Sequence, residues 1–233
     1  MITEMQIGDV AVDVMLKNIK NIHLSVYPPT GRVRISAPLN MNLDTIRIYA
    51  ISKLPWIRKN QVKMLKQARE TPREFLERES HYVWGKRYLL RLLETDAPTN
   101  ITLKHRELVL QVRQETSLAQ KQMLLDAWYR EQIKDAAPLL IQKWEKLMCV
   151  TVSNFYVQKM KTKWGSCNVE SNNIRLNSEL AKKPIEYLEY VIVHELAHLI
   201  EPTHNSRFVS LMEQFMPKWK AYRDQLNQLP LQG

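Results

Sequence analysis

The chain has few of the residues that build disulfide frameworks, flexible linkers or membrane spans. Its two cysteines, Cys149 and Cys167, are too few for a disulfide framework. Five glycines and no low-complexity run leave little room for a flexible linker. No stretch of eighteen apolar residues occurs, and the N-terminal segment lacks the basic start and apolar core of a signal peptide. These absences predict a cytoplasmic globular protein with no membrane partner.

Length and composition are those of an ordinary globular protein. The 233 residues are 45% hydrophobic and 25% charged, which is enough to bury a sizeable core. Length alone allows one large domain or two small ones, and it does not predict an oligomeric state.

Acidic residues are absent between Thr45 and Arg69. This segment carries seven of the basic residues behind the net charge of +10: Arg47, Lys53, Arg58, Lys59, Lys63, Lys66 and Arg69. A concentration of positive charge attracts anions, such as a nucleotide or a nucleic acid, but charge runs are also common on solvated helix surfaces. Both interpretations stay open.

The N-terminal half is predicted to be rich in β-structure. Alternating or β-branched segments predict these strands: Val10–Leu16, Ile22–Tyr27, Arg32–Ser36, Tyr82–Leu93 and Ile101–Val112. A turn at residues 28–31 would make the second and third a hairpin, and Gly85 suits a turn between short strands. Asp44 can cap a helix starting near Thr45, and a second helix is predicted from Pro55 to about Arg69.

The C-terminal half alternates helices with short strands. A long helix is predicted from Leu118 to Met148, with a kink or break at Pro138. The later predicted elements are strands at Thr151–Met160 and near Ile174–Leu176, then helices from Ile185, over Ser206–Phe215 and after Pro217. This order predicts an α+β protein in two parts, a β-rich region with basic helices at 1–115 and an α+β region at 116–233.

The most specific chemical pattern lies in residues 194–204, which hold three of the six histidines. His194 and His198 are four residues apart and share one helix face, with Glu195 directly after the first. This is the H-E-x-x-H arrangement, in which two imidazoles bind zinc beside a carboxylate. His204 is available as a third ligand.

The surrounding sequence favours a metal site over the alternative, a core helix whose histidines only form hydrogen bonds. The preceding segment is apolar on most sides, and unpaired imidazoles on a buried helix are costly unless a metal satisfies them. Pro202 ends the helix and lets the chain bring His204 back toward the pair. Glu201 is either a solvated acid at the helix end or a hydrogen-bond partner of a ligand histidine.

A second motif lies upstream of the histidine helix. The relevant segments are Met160-Lys-Thr-Lys-Trp-Gly-Ser-Cys-Asn168, Asn173-Ile-Arg-Leu-Asn177 and His204-Asn-Ser-Arg-Phe208. In this order they resemble the YgjP-like, or WLM-type, family of zincin metallopeptidases, whose signature is (R/K)WGSC. The resemblance is strongest over about residues 150–225 and weaker over the N-terminal half.

The resemblance implies both a fold and a site. The expected fold is a zincin-like α+β core with a long helix, a small antiparallel sheet and a zinc-binding helix. The resemblance implies that His194, His198 and His204 bind zinc and that Glu195 is the general base. A zinc-dependent hydrolase, specifically a metallopeptidase, is therefore the expected function.

Substrate-binding residues are less well defined. The strand near Ile174–Leu176 is the candidate edge strand for an extended peptide, which makes Arg175 a candidate contact. Lys163 and Trp164 are candidates to line the pocket, although a core role for the tryptophan is the simpler interpretation. Tyr187 and Tyr190 are candidate oxyanion donors, unless their hydroxyls bond the backbone. Cys167 is expected to be a small buried thiol beside a turn.

Two other functions remain compatible with the sequence. A nucleoside triphosphate pyrophosphatase would use the same zinc and Glu195 to cleave a phosphoanhydride, with the basic run holding phosphates. No glycine-rich phosphate loop supports it. A nucleic-acid-associated protein with a zinc site is also compatible with the net charge. The partner would accordingly be a peptide, an anionic substrate such as a nucleotide, or a nucleic acid.

Overall fold

The computed structural model describes residues 2–27, 30–66 and 73–228. They form an α+β protein, as predicted, and divide into two compact units. The described residues up to 66 belong to the first unit, and residues 73–228 belong to the second. Within the described residues, no helix is long and apolar enough to cross a membrane.

The first unit contains a four-stranded sheet and two helices. Its strands are β1 (Ile2–Ile7), β2 (Val10–Lys17), β3 (His23–Tyr27) and β4 (Arg32–Pro38), in the spatial order β1-β2-β4-β3. β3 and β4 pair antiparallel, so the predicted hairpin is confirmed, although Pro28 and Pro29 of its turn lie outside the described residues. β2 and β4 pair parallel.

The helices of the first unit are α1 (Leu43–Ser52) and α2 (Leu54–Lys66). The predicted cap at Asp44 is wrong, because the side chain of Asn42 accepts the Thr45 N–H at 2.8 Å. The backbone N–H groups of the first helical turn have no acceptor within the helix, and a side chain just before that turn can reach them. Asp44 already lies within the helix. The predicted extension of α2 to Arg69 lies outside the described residues.

The second unit begins with another four-stranded sheet. Its strands are β5 (Ser80–Val83), β6 (Lys86–Glu94), β7 (Asn100–Lys104) and β8 (Glu107–Val112), ordered β5-β6-β8-β7. Gly85 makes the predicted turn at a φ of +75°. His105, at a φ of +51°, makes a second turn that divides the segment predicted as one strand.

This sheet belongs to the second unit, because hydrogen bonds join it to the helices that follow it in the chain. The Tyr129 hydroxyl donates to the Tyr82 carbonyl at 2.9 Å, and the Trp84 N–H donates to the Ala181 carbonyl at 2.7 Å. Sequence reasoning places a boundary where β-rich and helix-rich segments meet. These hydrogen bonds join residues on the two sides of that position, and both sides belong to the same compact unit.

The long helix α3 runs from Leu118 to Met148 without interruption. Ser117 and Gln120 form a capping box at its start. The helix does not break at Pro138, so that half of the prediction is wrong, and a kink there stays a prediction. Pro138 is exposed, and the Lys134 carbonyl that it leaves without a partner also belongs to an exposed residue, where water can bond it. The opposite face stays buried along the helix at residues that include Tyr129 and Ile141.

A three-stranded sheet follows α3. It contains β9 (Asn154–Gln158), β10 (Gly165–Asn168) and β11 (Asn173–Asn177), in the order β10-β11-β9. β11 pairs antiparallel with β10 and parallel with β9, so the sheet is mixed and the prediction of an antiparallel sheet is wrong. The prediction that the strand near Ile174–Leu176 is an edge strand is also wrong, because β11 is central and β10 is an edge.

Three helices complete the second unit, after a short 3-10 helix at Ser178–Lys182. They are α4 (Ile185–Ile200), α5 (Ser206–Phe215) and α6 (Trp219–Gln228), as the sequence predicts. α4 packs against α3, α5, α6 and β10. It is held to α3 partly by Glu189, which accepts hydrogen bonds from Trp144 Nε1 at 2.9 Å and Lys143 Nζ at 2.6 Å.

Candidate metal centre

α4 carries the first two histidines on one face. Its apolar residues bury most of its circumference, with Leu188, Ile192 and Leu196 fully inaccessible to solvent. His194 and His198 are only partly buried, because their face opens onto a cleft. The helix therefore fixes these two side chains one turn apart, as the sequence pattern predicts.

A compact turn returns His204 to the same face. The Glu201 carboxylate accepts hydrogen bonds from Thr203 N at 3.3 Å and Thr203 Oγ1 at 2.9 Å, which lower the pKa of this carboxyl. Asn205 Nδ2 donates to Thr203 Oγ1 at 3.1 Å, and Asn205 Oδ1 caps α5 by accepting the Phe208 N–H at 3.1 Å. These short-range bonds hold the turn that presents His204.

Glu201 also orients a histidine, but through its backbone. The Nδ1–H of His198 donates to the Glu201 carbonyl at 3.3 Å, which leaves the Nε2 lone pair of His198 available as a ligand. Within the described residues, the Glu201 carboxylate forms no hydrogen bond to a histidine ring and accepts from Thr203 instead. Glu201 is thus a hydrogen-bond partner of His198, through its backbone carbonyl and not through its carboxylate.

The three imidazoles converge on one point. Each of His194, His198 and His204 offers a ring nitrogen, and these nitrogens lie within 4.8 Å of one another. The ring centroids are 4.9 Å apart for His194 and His198, 5.1 Å for His194 and His204, and 4.6 Å for His198 and His204. The Phe208 ring packs against all three at 4.7 to 5.0 Å.

The donor set fits a zinc ion. The Nε2 atoms of His194 and His204 are 3.1 Å apart. Two nitrogens on a tetrahedral zinc lie about 3.3 Å apart, because each Zn–N bond is about 2.0–2.1 Å. Burial lowers the pKa of His194 to about 3 and also lowers the pKa of His198, so both rings are neutral near pH 7 with lone pairs free for a metal.

Glu195 lies buried beside the histidines, with 4% of its surface exposed. Burial raises the pKa of its carboxyl to about 8, and the positive charge of Lys163 opposes that rise. Gly165 of β10 makes room for this side chain. A Cβ atom at position 165 would lie 2.5 Å from Glu195 Oε1 and 2.8 Å from Val191 Cγ1.

We expect Gly165→Ala to displace Glu195. The added methyl group overlaps a helix side chain on a buried face, which costs about 1–3 kcal/mol of unfolding free energy. Activity should fall by about tenfold or more, because the carboxylate moves, while bound metal is retained. Urea unfolding, kcat/KM and metal content measure the three effects. Asn168→Ala is the control, because Asn168 lies on the same strand but does not line the cleft. A wild-type kcat/KM in Gly165→Ala would contradict the prediction that Gly165 makes room for Glu195.

The histidines and Glu195 open onto a cleft of about 670 Å³. Its walls come from residues 162–167, Val169, α4, the turn after α4, α5 and α6. Lys163 and Trp164 are among the lining residues, where the sequence places them. Arg175 is not among the described lining residues; it lies on central strand β11, with its guanidinium carbon 5.8 Å from the centre of the Tyr156 ring. Their roles in substrate binding stay predictions.

Hydrogen bonds of Asn177 hold the segment that leads into β10. Its side chain is fully buried and donates to the carbonyls of Met160 and Lys163, both at 2.8 Å. It also accepts the N–H groups of Met160 and Glu179 at 3.2 Å, while its backbone N–H donates to the Trp164 carbonyl at 2.9 Å. These bonds hold the segment directly before Gly165.

Removal of this side chain should loosen the segment. Asn177→Ala deletes four hydrogen bonds and leaves buried groups without partners, so we expect a loss of about 3 kcal/mol in unfolding free energy. Asn173→Ala is the matched control, because Asn173 lies on the same strand and its buried Oδ1 has no hydrogen-bond partner. Urea unfolding of both variants measures the difference, and equal losses would contradict the role of Asn177.

The remaining candidates divide between structural and cleft positions. The Tyr187 hydroxyl donates to Gln225 Oε1 at 2.9 Å, whereas Tyr190 lines the cleft, with burial raising its pKa to about 12. Cys167 also lines the cleft and is partly exposed, so it is not the buried thiol that the sequence predicts. Partial burial and the nearby Glu195 raise the pKa of its thiol to about 11, so it is not a thiolate near neutral pH.

Sequence reasoning does not identify several residues of the site. Phe208 behind the histidines, and Trp219 and Arg223 in the cleft wall, come from helices that no metal motif includes. The basic run lies on α1 and α2 of the first unit, where Arg58 Nη2 pairs with Asp9 Oδ1 at 2.7 Å. The side chains of Lys63 and Lys66, and all of Arg69, lie outside the described residues. Anion binding by this run stays a prediction.

The chain is similar to solved structures and to one protein family. The chain is similar to the solved metallopeptidase zymogen abylysin of Pyrococcus abyssi, at 21% identity and a TM-score of 0.36, over 40% of this chain and 95% of that chain. It is similar to the zymogen jannalysin of Methanocaldococcus jannaschii, at 22% identity and a TM-score of 0.35, over 41% and 94%. No curated protein matches it. Residues 20–229 match the family described as YgjP-like, metallopeptidase domain, and the chain therefore belongs to the YgjP-like metallopeptidase family.

Proposed function

We propose that the protein is a zinc-dependent metallopeptidase, with His194, His198 and His204 as the zinc ligands and Glu195 as the general base. The observation that carries the proposal is the convergence of three imidazole nitrogens within 4.8 Å beside a buried carboxylate. Three histidines suit zinc, and membership of a metallopeptidase family implies a metal. When bound, zinc would acidify a water molecule and polarise the peptide carbonyl.

Glu195 has the properties of a group that takes and returns a proton. Burial raises the pKa of its carboxyl to about 8 in the metal-free protein, and Lys163 opposes the rise. A carboxyl whose pKa lies near neutrality can accept a proton from water and later donate it to the leaving amine. The close packing of Gly165 and Val191 around it restricts its movement.

The edge strand β10 suits an extended peptide. One side of β10 pairs with β11, and the other side has no partner among the described strands. Its residues Gly165, Ser166 and Cys167 also line the cleft that contains the histidines. A peptide added along this edge would bond the free backbone groups and lie across the site. The strand proposed for this role is therefore β10.

A zinc titration tests the proposal. Chelated protein is mixed with increasing zinc, and cleavage of an unstructured protein such as casein is followed by the release of new amino groups. We expect the rate to rise in proportion to zinc and to reach its plateau at about one equivalent per chain. Cleavage that persists in fully chelated protein, or that never appears as zinc is added, would contradict the proposal.

A further inference from the structure

Positive charge predominates in the lining of the cleft. Its formally charged residues are Lys163, Arg223 and Glu195, and the last is the single carboxylate among the described lining residues. Glu195 is buried against Gly165 and Val191 and is assigned to the reaction itself. Glu195 is therefore the one acid of the described cleft wall, and the acid that pairs with Arg223, Asp224, is not among the described lining residues.

Lys163 and Arg223 lie on separate segments of the chain, and each has N–H groups that can donate to a ligand. Lys163 is exposed, and none of the ion pairs in the described part of the chain includes it. Its backbone is held by the bond from Asn177 Nδ2 to the Lys163 carbonyl. Arg223 lies on α6 with its guanidinium carbon 5.0 Å from the centre of the Trp219 ring. Its Nε and Nη2 share the single acceptor Asp224 Oδ1, at 2.9 Å each, so other N–H groups remain.

Trp219 adds a neutral donor to the same wall. Its side chain lines the cleft and is 5% exposed, and its buried Nε1 has no hydrogen-bond partner within the described residues. Buried donors without an acceptor are rare in proteins, so this N–H is a candidate donor to a ligand that reaches the wall. A wall with two cations and a free donor is complementary to carboxylates rather than to cationic groups.

We infer that the cleft selects peptides with acidic side chains close to the scissile bond, and that Lys163 and Arg223 are the residues that recognise them. This inference rests on the proposed peptidase function and specifies its substrates. It differs from the predicted role of the basic run of the first unit, since both cations belong to the cleft of the second unit.

A matched pair of capped peptides tests the inference. Both have blocked ends, and one carries glutamate wherever the other carries glutamine, so that side chains alone differ in charge. Zinc-loaded protein should cleave the glutamate peptide with a higher kcat/KM, by about fivefold for each contact, and added salt should reduce the ratio. A glutamine peptide with a free C-terminal carboxylate should not share this advantage, and an equal gain from it would overturn recognition of acidic side chains.

Two variants, each with its own control, test whether Lys163 and Arg223 recognise the acidic side chains. Lys163→Met and Arg223→Gln should each lower the ratio of glutamate to glutamine cleavage by about fivefold. Lys161→Met and Lys220→Gln are the controls, because these lysines are neighbours in sequence but are not among the described lining residues. The controls should keep the wild-type ratio. A ratio that falls equally in variants and controls would mean that net charge, not the cleft, sets the preference, and it would overturn the inference.

A binding measurement separates this inference from the proposed function. The zinc-loaded Glu195→Gln protein is titrated with each peptide, and the fluorescence of the protein's tryptophans, two of which line the cleft, reports binding. Tighter binding of the glutamate peptide supports the inference even if the wild-type protein cleaves neither. Equal affinity, or no binding of either peptide, overturns it. Equal cleavage of both peptides overturns the preference and leaves the proposed peptidase function standing.

Discussion

Glu195→Gln is expected to lower kcat for peptide cleavage by about 10³-fold, the scale of a lost general base. Glutamine keeps nearly the shape of the carboxyl and fits the space beside Gly165, but its amide cannot accept the proton that a base must take. The ring nitrogens of the three histidines are unchanged, so the metal should remain bound. Measurements of kcat and of zinc content on the same sample separate the two effects.

The control for this variant lies on the same helix. Glu186 is exposed in the first turn of α4, outside the described lining of the cleft, so Glu186→Gln removes one negative charge without changing the site. Its kcat should stay close to wild type. If Glu195→Gln kept wild-type kcat with its zinc bound, the base would be another group, and the assignment of Glu195 would be wrong.

His204→Ala is expected to weaken zinc binding by more than about 10²-fold. That figure is the upper end of the loss found when a residue that only hydrogen-bonds a metal ligand is removed, and loss of a ligand itself should cost more. Removal of a ligand leaves two nitrogens, whereas the catalytic sites of zinc enzymes use three protein ligands. His204 is exposed and lies in a turn, so its removal should change the folding free energy little. Competition with a chelator of known affinity measures the change, and peptide cleavage should fall with zinc occupancy.

A second histidine variant controls for the loss of an imidazole from the surface. His23 is exposed on β3 of the first unit, so His23→Ala should leave zinc affinity at the wild-type value. An affinity in His204→Ala equal to that of His23→Ala would show that the site needs only the two histidines of α4. His204 would then have no role in metal binding.

Features that depend on neighbouring residues could be predicted from the sequence. His194, Glu195 and His198 lie within two turns of one helix, so their arrangement follows from helical geometry alone. Pro202 predicts that the chain turns toward His204, because the helix cannot continue through it. The hairpin of β3 and β4 and the helices of the second unit likewise follow from local pattern.

Features that depend on distant residues could not be predicted in this way. The central position of β11 results from its parallel pairing with β9, which no turn motif encodes. The contact of Gly165 with Glu195 joins two motifs that the sequence shows only as separate. The continuity of α3 through Pro138 depends on which face of the helix is buried. In each case, tertiary packing determines the outcome and local propensity does not.

Zinc content after equilibrium dialysis tests the central claim most directly. Wild-type protein and a variant with alanine at positions 194, 198 and 204 are dialysed against the same trace zinc, and the metal is counted by mass spectrometry. We expect about one zinc per wild-type chain and almost none in the triple variant, because the three imidazoles form the site. A wild-type chain without zinc, or a triple variant that retains it, would contradict the account.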